Sequence, residues 1–342
     1  MTFMRTIEWR NGKVVTIDQT KLPSETLYVE MKNVAEVAEG IKRMKMRGAP
    51  LLGAAAAFGL ALAANNSEAR EKEALIEELE KAAENLKATR PTAVNLFWAL
   101  DRIINQVRKI TGTTENLVSF VVEEAQRIAD EDVRANRLIG KNGAQLIHDG
   151  DAILTHCNAG SLATVDYGTA LGVIRAARDQ GKRIRVIATE TRPKLQGARL
   201  TTYELMNEGV PVTLITDNMV GYIMYKQLVQ KVIVGADRIV RDAVINKIGT
   251  YLIAVSAKEH NIPFYVAAPK STFDMKSKAA DVTIEERRGE EVTHLYSYRT
   301  APKGVNIINP AFDITPLEYV TAIICEDAIL GKDEFSDLQP EA

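Results

Sequence analysis

The chain has 342 residues, of which 46% are hydrophobic and 26% are charged, and its formal net charge is −2 at pH 7. This length predicts two domains, and the near-neutral charge excludes a basic surface of the kind that holds nucleic acid. The two cysteines, Cys157 and Cys325, lack the spacing of a disulfide framework or a structural zinc site. Together with a first segment that has no apolar signal-peptide run, this predicts a reducing, cytoplasmic compartment.

The first thirty residues alternate apolar and polar side chains around two turn signals, Asn11-Gly12 and Leu22-Pro23. Such alternation with short turns predicts a small antiparallel β-sheet. From about residue 33 to residue 148 the apolar residues recur at three- and four-residue spacing, which predicts a series of helices.

One uncharged run in this helical section, GAPLLGAAAAFGLALAA at 48–64, consists mostly of Ala and Gly. It falls short of the roughly 20 strongly apolar residues that span a bilayer, so we expect a buried helix and no membrane partner. We place the domain boundary within the helices, so that residues 1–125 form a β/helical domain and residues 126–342 form a second domain.

After about residue 149 the sequence changes to short β-branched runs separated by helix-length stretches, namely AILTHC, RIRVIAT, PVTLIT, KVIVGAD and IPFYVAA. This alternation predicts an α/β fold with a parallel sheet and crossover helices on both faces. The acidic tail from Gly331 onwards lacks such a pattern, and we expect it to be frayed.

In an open parallel sheet, ligands bind at the carboxyl ends of the strands, so the residues that end these runs are the candidates for chemistry. Cys157 ends the first run and Asp237 ends the fourth. Each has an ordinary structural interpretation, since a strand-end cysteine is usually a small buried hydrophobe and an aspartate often caps the next helix. A thiol and a carboxylate that both end central strands can face a common pocket, which favours a catalytic pair.

The histidines, the second cysteine and the absence of phosphate-binding glycine motifs reduce the number of possible kinds of active site. His156 is adjacent to Cys157 and should point to the opposite side of a continuing strand, which argues against a Cys–His nucleophile pair. Cys325 lies in an apparent helical pattern, PLEYVTAIICEDAIL, and is expected in the core. The four histidines lack metal-ligand spacing, and no P-loop or G-x-G-x-x-G run is present, so neither a metal site nor a nucleotide site is predicted.

Three arginines precede prolines that we expect to begin helices: Arg47 in MRGAP, Arg90 in ATRP and Arg192 in TRPKLQGAR. Proline suits the first turn of a helix, where unpaired amides attract phosphate and a nearby guanidinium group adds a charge-assisted contact. Any one of them is compatible with an ordinary helix start, whereas the three together favour an anion-binding site.

The sequence resembles the methylthioribose-1-phosphate isomerase family of methionine salvage in the motifs RGAP, THCNAGSLAT, ETRPKLQGARLT, ITDNM, VGADRI with NKIGTY, and APKSTFD. The resemblance covers nearly the whole chain. It implies a mostly helical N-terminal domain, a Rossmann-like C-terminal domain, a homodimer that acts on a small phosphosugar, and neither a metal nor a redox cofactor. By motif position it implies catalysis by Cys157 and Asp237, and substrate binding by Arg47, Gly48, Ala49, Arg90, Gln196, Asn246 and Lys247.

The implied reaction is an intramolecular aldose–ketose isomerisation of 5-methylthio-D-ribose 1-phosphate to 5-methylthio-D-ribulose 1-phosphate. Since C1 carries the phosphate, the ring cannot open freely, and an acid must protonate the ring oxygen as its bond to C1 breaks. Asp237 is our candidate, and it would need to be desolvated to hold a proton near pH 7. Cys157 would either carry hydrogen from C2 to C1 as a proton or stabilise a hydride shift.

Two relatives of that enzyme have the same fold and similar motifs: ribose-1,5-bisphosphate isomerase, and the non-catalytic regulatory subunits of the exchange factor for translation initiation factor two. The start WRNGKVVTIDQTKLP resembles the methylthioribose enzyme, and we expect the segment around Trp9 and the stretch IDQTKLP to close an apolar lid over the methylthio group. A bisphosphate would need extra cations there, and a binding-only relative has no need of both Cys157 and Asp237.

Overall fold

The structure, a computed structural model, describes residues 5–336 of the chain. It begins with an antiparallel sheet of three strands in the order β1-β2-β3: β1 Ile7–Arg10, β2 Lys13–Ile17 and β3 Tyr28–Met31. Between β1 and β2, Asn11 and Gly12 have φ values of 50° and 75°, the left-handed pair that a two-residue hairpin needs. The predicted small sheet is confirmed.

Five helices follow: α1 Val34–Lys42, α2 Ala49–Asn65, α3 Lys72–Lys87, α4 Val94–Val107 and α5 Thr114–Ala144. α2 is buried along almost its whole length. Its small residues let α4 approach closely, so that a Cβ on Gly53 would lie 3.0 Å from the Asn95 carbonyl oxygen. The predicted buried helix is confirmed, and no helix within residues 5–336 is long and apolar enough to cross a membrane.

The second half of the chain alternates strands and helices. In chain order its elements are β4 Ala152–Thr155, α6 Ala170–Asp179, β5 Arg185–Thr189, α7 Thr202–Asn207, β6 Val212–Ile215, α8 Val220–Tyr225, β7 Lys231–Val234, β8 Arg238–Val240, β9 Ala243–Lys247, α9 Thr250–Glu259, β10 Phe264–Ala267, β11 Phe273–Asp274, α10 Glu290–Thr293, β12 His294–Leu295, β13 Tyr298–Arg299, β14 Phe312–Pro316, β15 Ala322–Ile324, β16 Ile329–Gly331 and α11 Lys332–Ser336. A π-helical turn, Gly197–Thr201, precedes α7.

The main sheet has seven strands in the order β16-β15-β10-β7-β4-β5-β6, and all neighbours are parallel except the edge strand β16. Every run predicted as a strand lies in this sheet. Adjacent residues of β4 pack on opposite faces: Ile153 lies with residues of α5 and α6, and Leu154 lies with residues of α8 and α9. Helices therefore cover both faces, which confirms the predicted α/β fold.

Three features differ from the predictions. A four-stranded sheet in the order β11-β8-β9-β14 follows Asp237, which therefore begins a hairpin and does not cap a helix. Cys325 is buried as expected, but it follows β15 in a strand pair with β16 and not in a helix. The tail is ordered as α11, where Phe335 is buried edge-to-face against Phe273, and its residues 337–342 lie outside the described residues.

α5 joins the two halves as one unbroken helix. Its Leu117 and Val121 pack in the N-terminal helical core, while Ile139 and Ala144 pack against the main sheet. The expected domain boundary at residue 125 falls inside this helix and stays a prediction.

Candidate active site

Cys157 and Asp237 lie at the same edge of the main sheet because β4 and β7 are neighbouring parallel strands. Beyond these strand ends, the sheet meets the N-terminal half of the chain around a small cavity of about 70 Å³. The residues predicted as catalytic or substrate-binding all line this cavity: Arg47, Gly48, Ala49, Arg90, Cys157, Gln196, Asp237, Asn246 and Lys247. A larger cavity of about 580 Å³ shares Met44, Arg47 and Gln196 in its lining.

The N-terminus of α2 forms one wall of the small cavity. Gly48 precedes the helix with a φ of 103°, and a Cβ there would lie 2.6 Å from the Cα and carbonyl oxygen of Ala163, so this close approach requires glycine. Pro50 lies in the first turn, as predicted. The first amides of a helix have no intrahelical partner, and together with the helix dipole they suit an anion such as phosphate.

Arg47 is buried beside this helix start and is hydrogen-bonded through all three guanidinium nitrogens. Nε donates to Gln19 Oε1 at 2.7 Å, Nη1 donates to the Asn158 carbonyl oxygen at 2.9 Å, and Nη2 donates to Asn158 Oδ1. Asn158 Nδ2 donates in turn to Glu204 Oε1 at 2.9 Å, and Glu204 pairs with Arg175 at 2.7 Å. This buried network fixes the orientation of the Arg47 guanidinium group.

Arg90 and Gln196 each have a buried polar atom that lacks a hydrogen-bond partner among the described residues. Arg90 Nη2 lies 3.4 Å from Glu285 Oε2, but the buried Arg90 Nε has no hydrogen-bond acceptor within residues 5–336. Gln196 Oε1 is likewise buried without a donor in the described part of the chain. Because unsatisfied buried polar atoms are costly, a ligand in the cavity that paired with these two atoms would gain free energy.

Only one of the three predicted proline-started helices is present. Pro91 lies in a turn ahead of α4, and Pro193 lies in a loop, so neither begins a helix. Arg192 donates to the carbonyl oxygens of Pro193 and Val292 at 2.9 and 2.8 Å and lines the larger cavity. Arg90 reaches the small cavity from the turn and not from a helix start.

Burial shifts the ionisation of the two candidate catalytic groups. It raises the pKa of the Asp237 carboxyl, and Lys247, Arg90 and Arg47 only partly offset this effect. It also raises the pKa of the Cys157 thiol, against the lowering effects of Lys247 and Arg47. The cavity therefore favours the protonated form of both groups.

Asn246 and Lys247 come from the end of β9, in the hairpin that begins at Asp237. Asn246 Nδ2 donates to Thr250 Oγ1 at 3.0 Å, and Lys247 Nζ donates to the Ala311 carbonyl oxygen at 2.7 Å. Burial lowers the pKa of Lys247, while Cys157 and Asp237 raise it. The amino group is thus buried beside Asp237 and Cys157, with the Ala311 carbonyl oxygen as its hydrogen-bond acceptor.

His156 does not pair with the thiol. Its Nδ1 lies 2.6 Å from Thr189 Oγ1, and its Nε2 lies 2.9 Å from the Ile248 carbonyl oxygen. Because a carbonyl oxygen only accepts, Nε2 carries the proton, and the Thr189 hydroxyl donates to Nδ1. Neither ring nitrogen is left for Cys157.

Comparison with known proteins assigns the family. The sequence profile of the initiation factor 2 subunit family matches residues 45–331. The chain belongs to this family. It is 54% identical over 327 residues to the methylthioribose-1-phosphate isomerase of Thermosipho melanesiensis, covering 95% of this chain and 94% of that one. The resemblance recognised in the sequence motifs is confirmed.

Solved structures of family members have the same fold. The crystal structure of 5-methylthioribose 1-phosphate isomerase from Pyrococcus horikoshii OT3 has a TM-score of 0.92 at 47% identity, covering 98% of this chain and 94% of that chain. The crystal structure of the translation initiation factor eIF-2B, subunit delta, from A. fulgidus has a TM-score of 0.86 at 55% identity, covering 96% of each chain.

One of the two segments expected to form a lid in this member of the initiation factor 2 subunit family, the segment around Trp9, does not do so. Trp9 stacks on Phe58 with ring centres 6.3 Å apart and packs against the N-terminal helical core, so it does not cover the cavity. The loop after β2 lines the larger cavity instead, through residues that include Gln19 and Leu22. Alternation predicted the strand correctly, but it does not tell which element the apolar face meets.

Sequence reasoning missed Gln19, Glu204 and Arg175, which form the network around Arg47. Gln19 lies in the stretch IDQTKLP, which the family resemblance already included, and that is the only signal for it. Glu204 and Arg175 lie on α7 and α6 and are charged residues in helical patterns, which usually indicate solvent-exposed faces.

Proposed function

We propose that the chain is a methylthioribose-1-phosphate isomerase, which converts 5-methylthio-D-ribose 1-phosphate to 5-methylthio-D-ribulose 1-phosphate in methionine salvage. The observation that carries this proposal is the convergence of Cys157 and Asp237, both with raised pKa values, on a cavity lined by cationic groups. Relatives of that name, more than half identical over nearly the whole chain, support it.

The phosphate group fits the side of the cavity formed by the N-terminal half. Arg47 and Arg90 bring guanidinium groups there, and the first amides of α2 add uncharged donors. Lys247 faces the same cavity from the sheet. We assign the substrate phosphate to these groups, with the unpartnered Arg90 Nε as one of its donors.

Ring opening needs an acid at the ring oxygen. As the bond between C1 and the ring oxygen breaks, its electron pair stays on the oxygen, which takes a proton from Asp237. Burial raises the pKa of Asp237, so the proton is retained in the free enzyme and is available for this step.

Hydrogen must then pass from C2 to C1, and the carbonyl group forms at C2. Substrate and product are isomers, so no oxidant or reductant is consumed. In one route Cys157 acts as its thiolate, the minor form because burial raises the thiol pKa; it takes the C2 hydrogen as a proton, an enol-type intermediate forms, and the proton is returned to C1. In the other route the hydrogen moves directly from C2 to C1 as hydride and Cys157 only stabilises the charge. In both routes the C2 hydroxyl gives its proton to the Asp237 carboxylate as the carbonyl group forms. Deuterium incorporation at C1 in D₂O is expected for the first route and not for the second.

The methylthio end of the substrate fits an apolar extension of the cavity. This space of about 40 Å³ adjoins Arg90 and Asp237 and is lined by the apolar residues Leu52, Ala93, Ile245, Val282, Ile284 and Phe312. A methylthio group gains affinity there by leaving water. Arg238 also lines this space but is paired with Asp274, so a second phosphate would lose its hydration and compete with that carboxylate for the guanidinium group. This arrangement favours the methylthio sugar over ribose 1,5-bisphosphate.

The deciding experiment is an isomerisation assay of the purified protein with each of the two phosphosugars, with and without a chelator. We expect turnover of methylthioribose 1-phosphate, a lower kcat/KM for ribose 1,5-bisphosphate, and no effect of the chelator. The opposite preference would reassign the substrate. Inactivity on both sugars would favour the non-catalytic regulatory relatives.

We further expect the protein to act as a homodimer in the cytoplasm. Exposed apolar side chains form one group at 292–308 and another on and around β6, α8 and α9, which comprises Met206, Leu214, Met219, Tyr222, Tyr225, Leu228, Tyr251 and Leu252. An apolar patch of this kind marks an association surface, and a second copy of the chain is its proposed occupant. Sedimentation should give twice the chain mass of 37.7 kDa, and Tyr222→Asp should reduce it toward the single-chain value.

A further inference from the structure

Cys157 has a main-chain conformation that is uncommon for a residue with a side chain. Its φ is 61°, in the left-handed region, which costs free energy for residues other than glycine. Its amide donates to Thr191 Oγ1 at 2.9 Å, and Thr201 Oγ1 donates to its carbonyl oxygen at 2.6 Å. One hydroxyl group therefore holds the chain on each side of the residue that carries the thiol.

The residues that carry these two hydroxyl groups are themselves held in place. The Asp217 carboxylate accepts hydrogen bonds from the amides of Thr191 and Arg192 at 2.8 and 2.6 Å. Thr201 ends the π-helical turn and accepts a hydrogen bond from Asn158 Nδ2 at 3.1 Å. Thr191 and Thr201 are each 0% exposed, so bulk water does not compete for these contacts.

The left-handed turn changes which side chains reach the cavity. In a strand that continued through Cys157, the side chains of His156 and Cys157 would point to opposite faces. Both residues instead line the small cavity. Because Thr189 and Ile248 anchor the His156 ring, the strand end before the turn is fixed, and the thiol position depends on the turn itself.

We propose that Thr191 and Thr201 are positioning residues, which hold Cys157 in this conformation and thereby keep its thiol in the cavity with Asp237. Neither threonine lines the small cavity, so each acts through Cys157 and not on the substrate. The inference rests on the proposed function for its kinetic readout. The accessibility of the thiol is a second readout that needs no substrate.

The test compares Thr191→Val, which removes the hydroxyl at nearly constant volume, with Thr191→Ser, which keeps it. We expect Thr191→Val to lower kcat at least about tenfold with KM within about twofold, because a displaced reacting group slows chemistry more than binding. Thr191→Ser should recover most of the turnover. Thr201→Val and Thr201→Ser carry the same expectation and keep the test decisive if one valine variant does not fold.

Thr202→Val is the matched control, because the Thr202 hydroxyl donates to the Ala198 carbonyl oxygen at 2.5 Å within its own helical segment. It should retain the kcat of the native protein. In a Cys325→Ser background, iodoacetamide reports on Cys157 alone. At alkaline pH, where the thiol is ionised, Thr191→Val should be alkylated at least about threefold faster, since a released thiol samples solvent more often.

Native kcat and alkylation rates in both valine variants would overturn the positioning role. Equal losses of kcat in the valine and serine variants would overturn it as well, because the effect would then not depend on the hydroxyl group. If the native protein has no isomerase activity, the proposed function fails, and the alkylation rates alone decide whether the two threonines hold Cys157.

Discussion

The two halves of the chain contribute different chemistry to the same cavity. The N-terminal half supplies permanent charge and amides: Arg47, Arg90 and the start of α2. The half built on the main sheet supplies groups whose pKa values burial shifts, Cys157 and Asp237 above all. Apart from Lys247, which faces the cavity from β9, the binding charge comes from the N-terminal half and the reacting groups come from the sheet half, so substitutions in the two halves should have different kinetic effects.

The largest effect is expected for the reacting groups. Asp237→Asn and Cys157→Ser should each lower kcat at least about a hundredfold, as for loss of general acid–base function, and should change KM little. Thermal unfolding should stay close to that of the native protein. Turnover comparable to the native protein in either variant would contradict the catalytic pair.

The pH dependence of kcat tests the acid separately. Because burial raises the pKa of Asp237 and only the protonated carboxyl can donate, kcat should fall as pH rises through that pKa. In Asp237→Asn, the residual activity should lack this alkaline decline. A decline that persists in Asp237→Asn would assign the titration to another group.

Arginine substitutions should instead weaken binding. Arg90→Ala should cost about 2 kcal/mol of product affinity, as for a lost charge-assisted contact, with little loss of stability. Arg47→Ala should weaken binding similarly and also lower stability, because Gln19 and Asn158 lose their partner. Titration calorimetry and denaturant unfolding measure the two effects.

Arg108→Ala is the control for these variants, since Arg108 is an exposed residue that pairs with Glu80 away from the cavity. It should leave both affinity and stability nearly unchanged. If product affinity is unchanged in both Arg47→Ala and Arg90→Ala, the phosphate is held elsewhere, and the N-terminal half does not supply the binding charge.

Trp9→Ala tests whether the N-terminal half affects chemistry apart from its arginines. Loss of the stacking on Phe58 should lower the free energy of unfolding by about 2 kcal/mol, less than for a fully buried aromatic residue. The ratio of kcat/KM values for methylthioribose 1-phosphate and its 5-hydroxy analogue should not change. A loss of kcat/KM on the methylthio sugar alone would show that Trp9 acts on the methylthio end, contrary to its packing on Phe58.

The smallest effect on activity is expected for Asp132, which lies on α5 between the two halves and whose titration changes stability. Burial raises its pKa to about 7, although its carboxylate accepts a hydrogen bond from the Val165 amide at 2.7 Å. Asp166 raises this pKa further and Arg5 lowers it. The folded state therefore binds a proton more tightly than the unfolded state, so stability falls as pH rises from about 4 to about 7.

Asp132→Asn should remove this slope, because the amide does not ionise. Relative to the native protein, the variant should be more stable at pH 8 than at pH 4. Urea unfolding at the two pH values measures the difference. If the difference in unfolding free energy between the variant and the native protein is the same at pH 4 and pH 8, Asp132 titrates in the folded state as it does in the unfolded chain.

The predictable part of the fold follows from local patterns. Strands β4 and β7 are short β-branched runs, and α2 is a continuous small apolar run, so their neighbours in sequence suffice to identify them. The hairpin after Asp237 was missed because β8 has only three residues and an aspartate after a strand usually caps a helix. The stretch PLEYVTAIICEDAIL predicts a helix around Cys325 because the apolar residues of the short strands β15 and β16 happen to recur at helical spacing.

Sequence motifs predict which residues form the site, but they do not predict the geometry of those residues. Nothing in the sequence near Thr191 indicates that its hydroxyl accepts from the Cys157 amide, since the contact joins residues from two different strand ends. Gln19 and Glu204 likewise act through partners that only the tertiary fold brings close. Pairings of this kind depend on register and loop path, which local composition does not encode.

The unbroken α5 determines how the gene can be divided for fragment expression. At 31 residues it is about 46 Å long, and its apolar stripe serves two cores in succession. A fragment that ended at residue 125 would separate Leu117 and Val121 from Ile128 and expose part of one core on each piece. A cut in the loop at 108–113 leaves the helix whole, and complementation of two such fragments should recover activity that the cut at residue 125 does not.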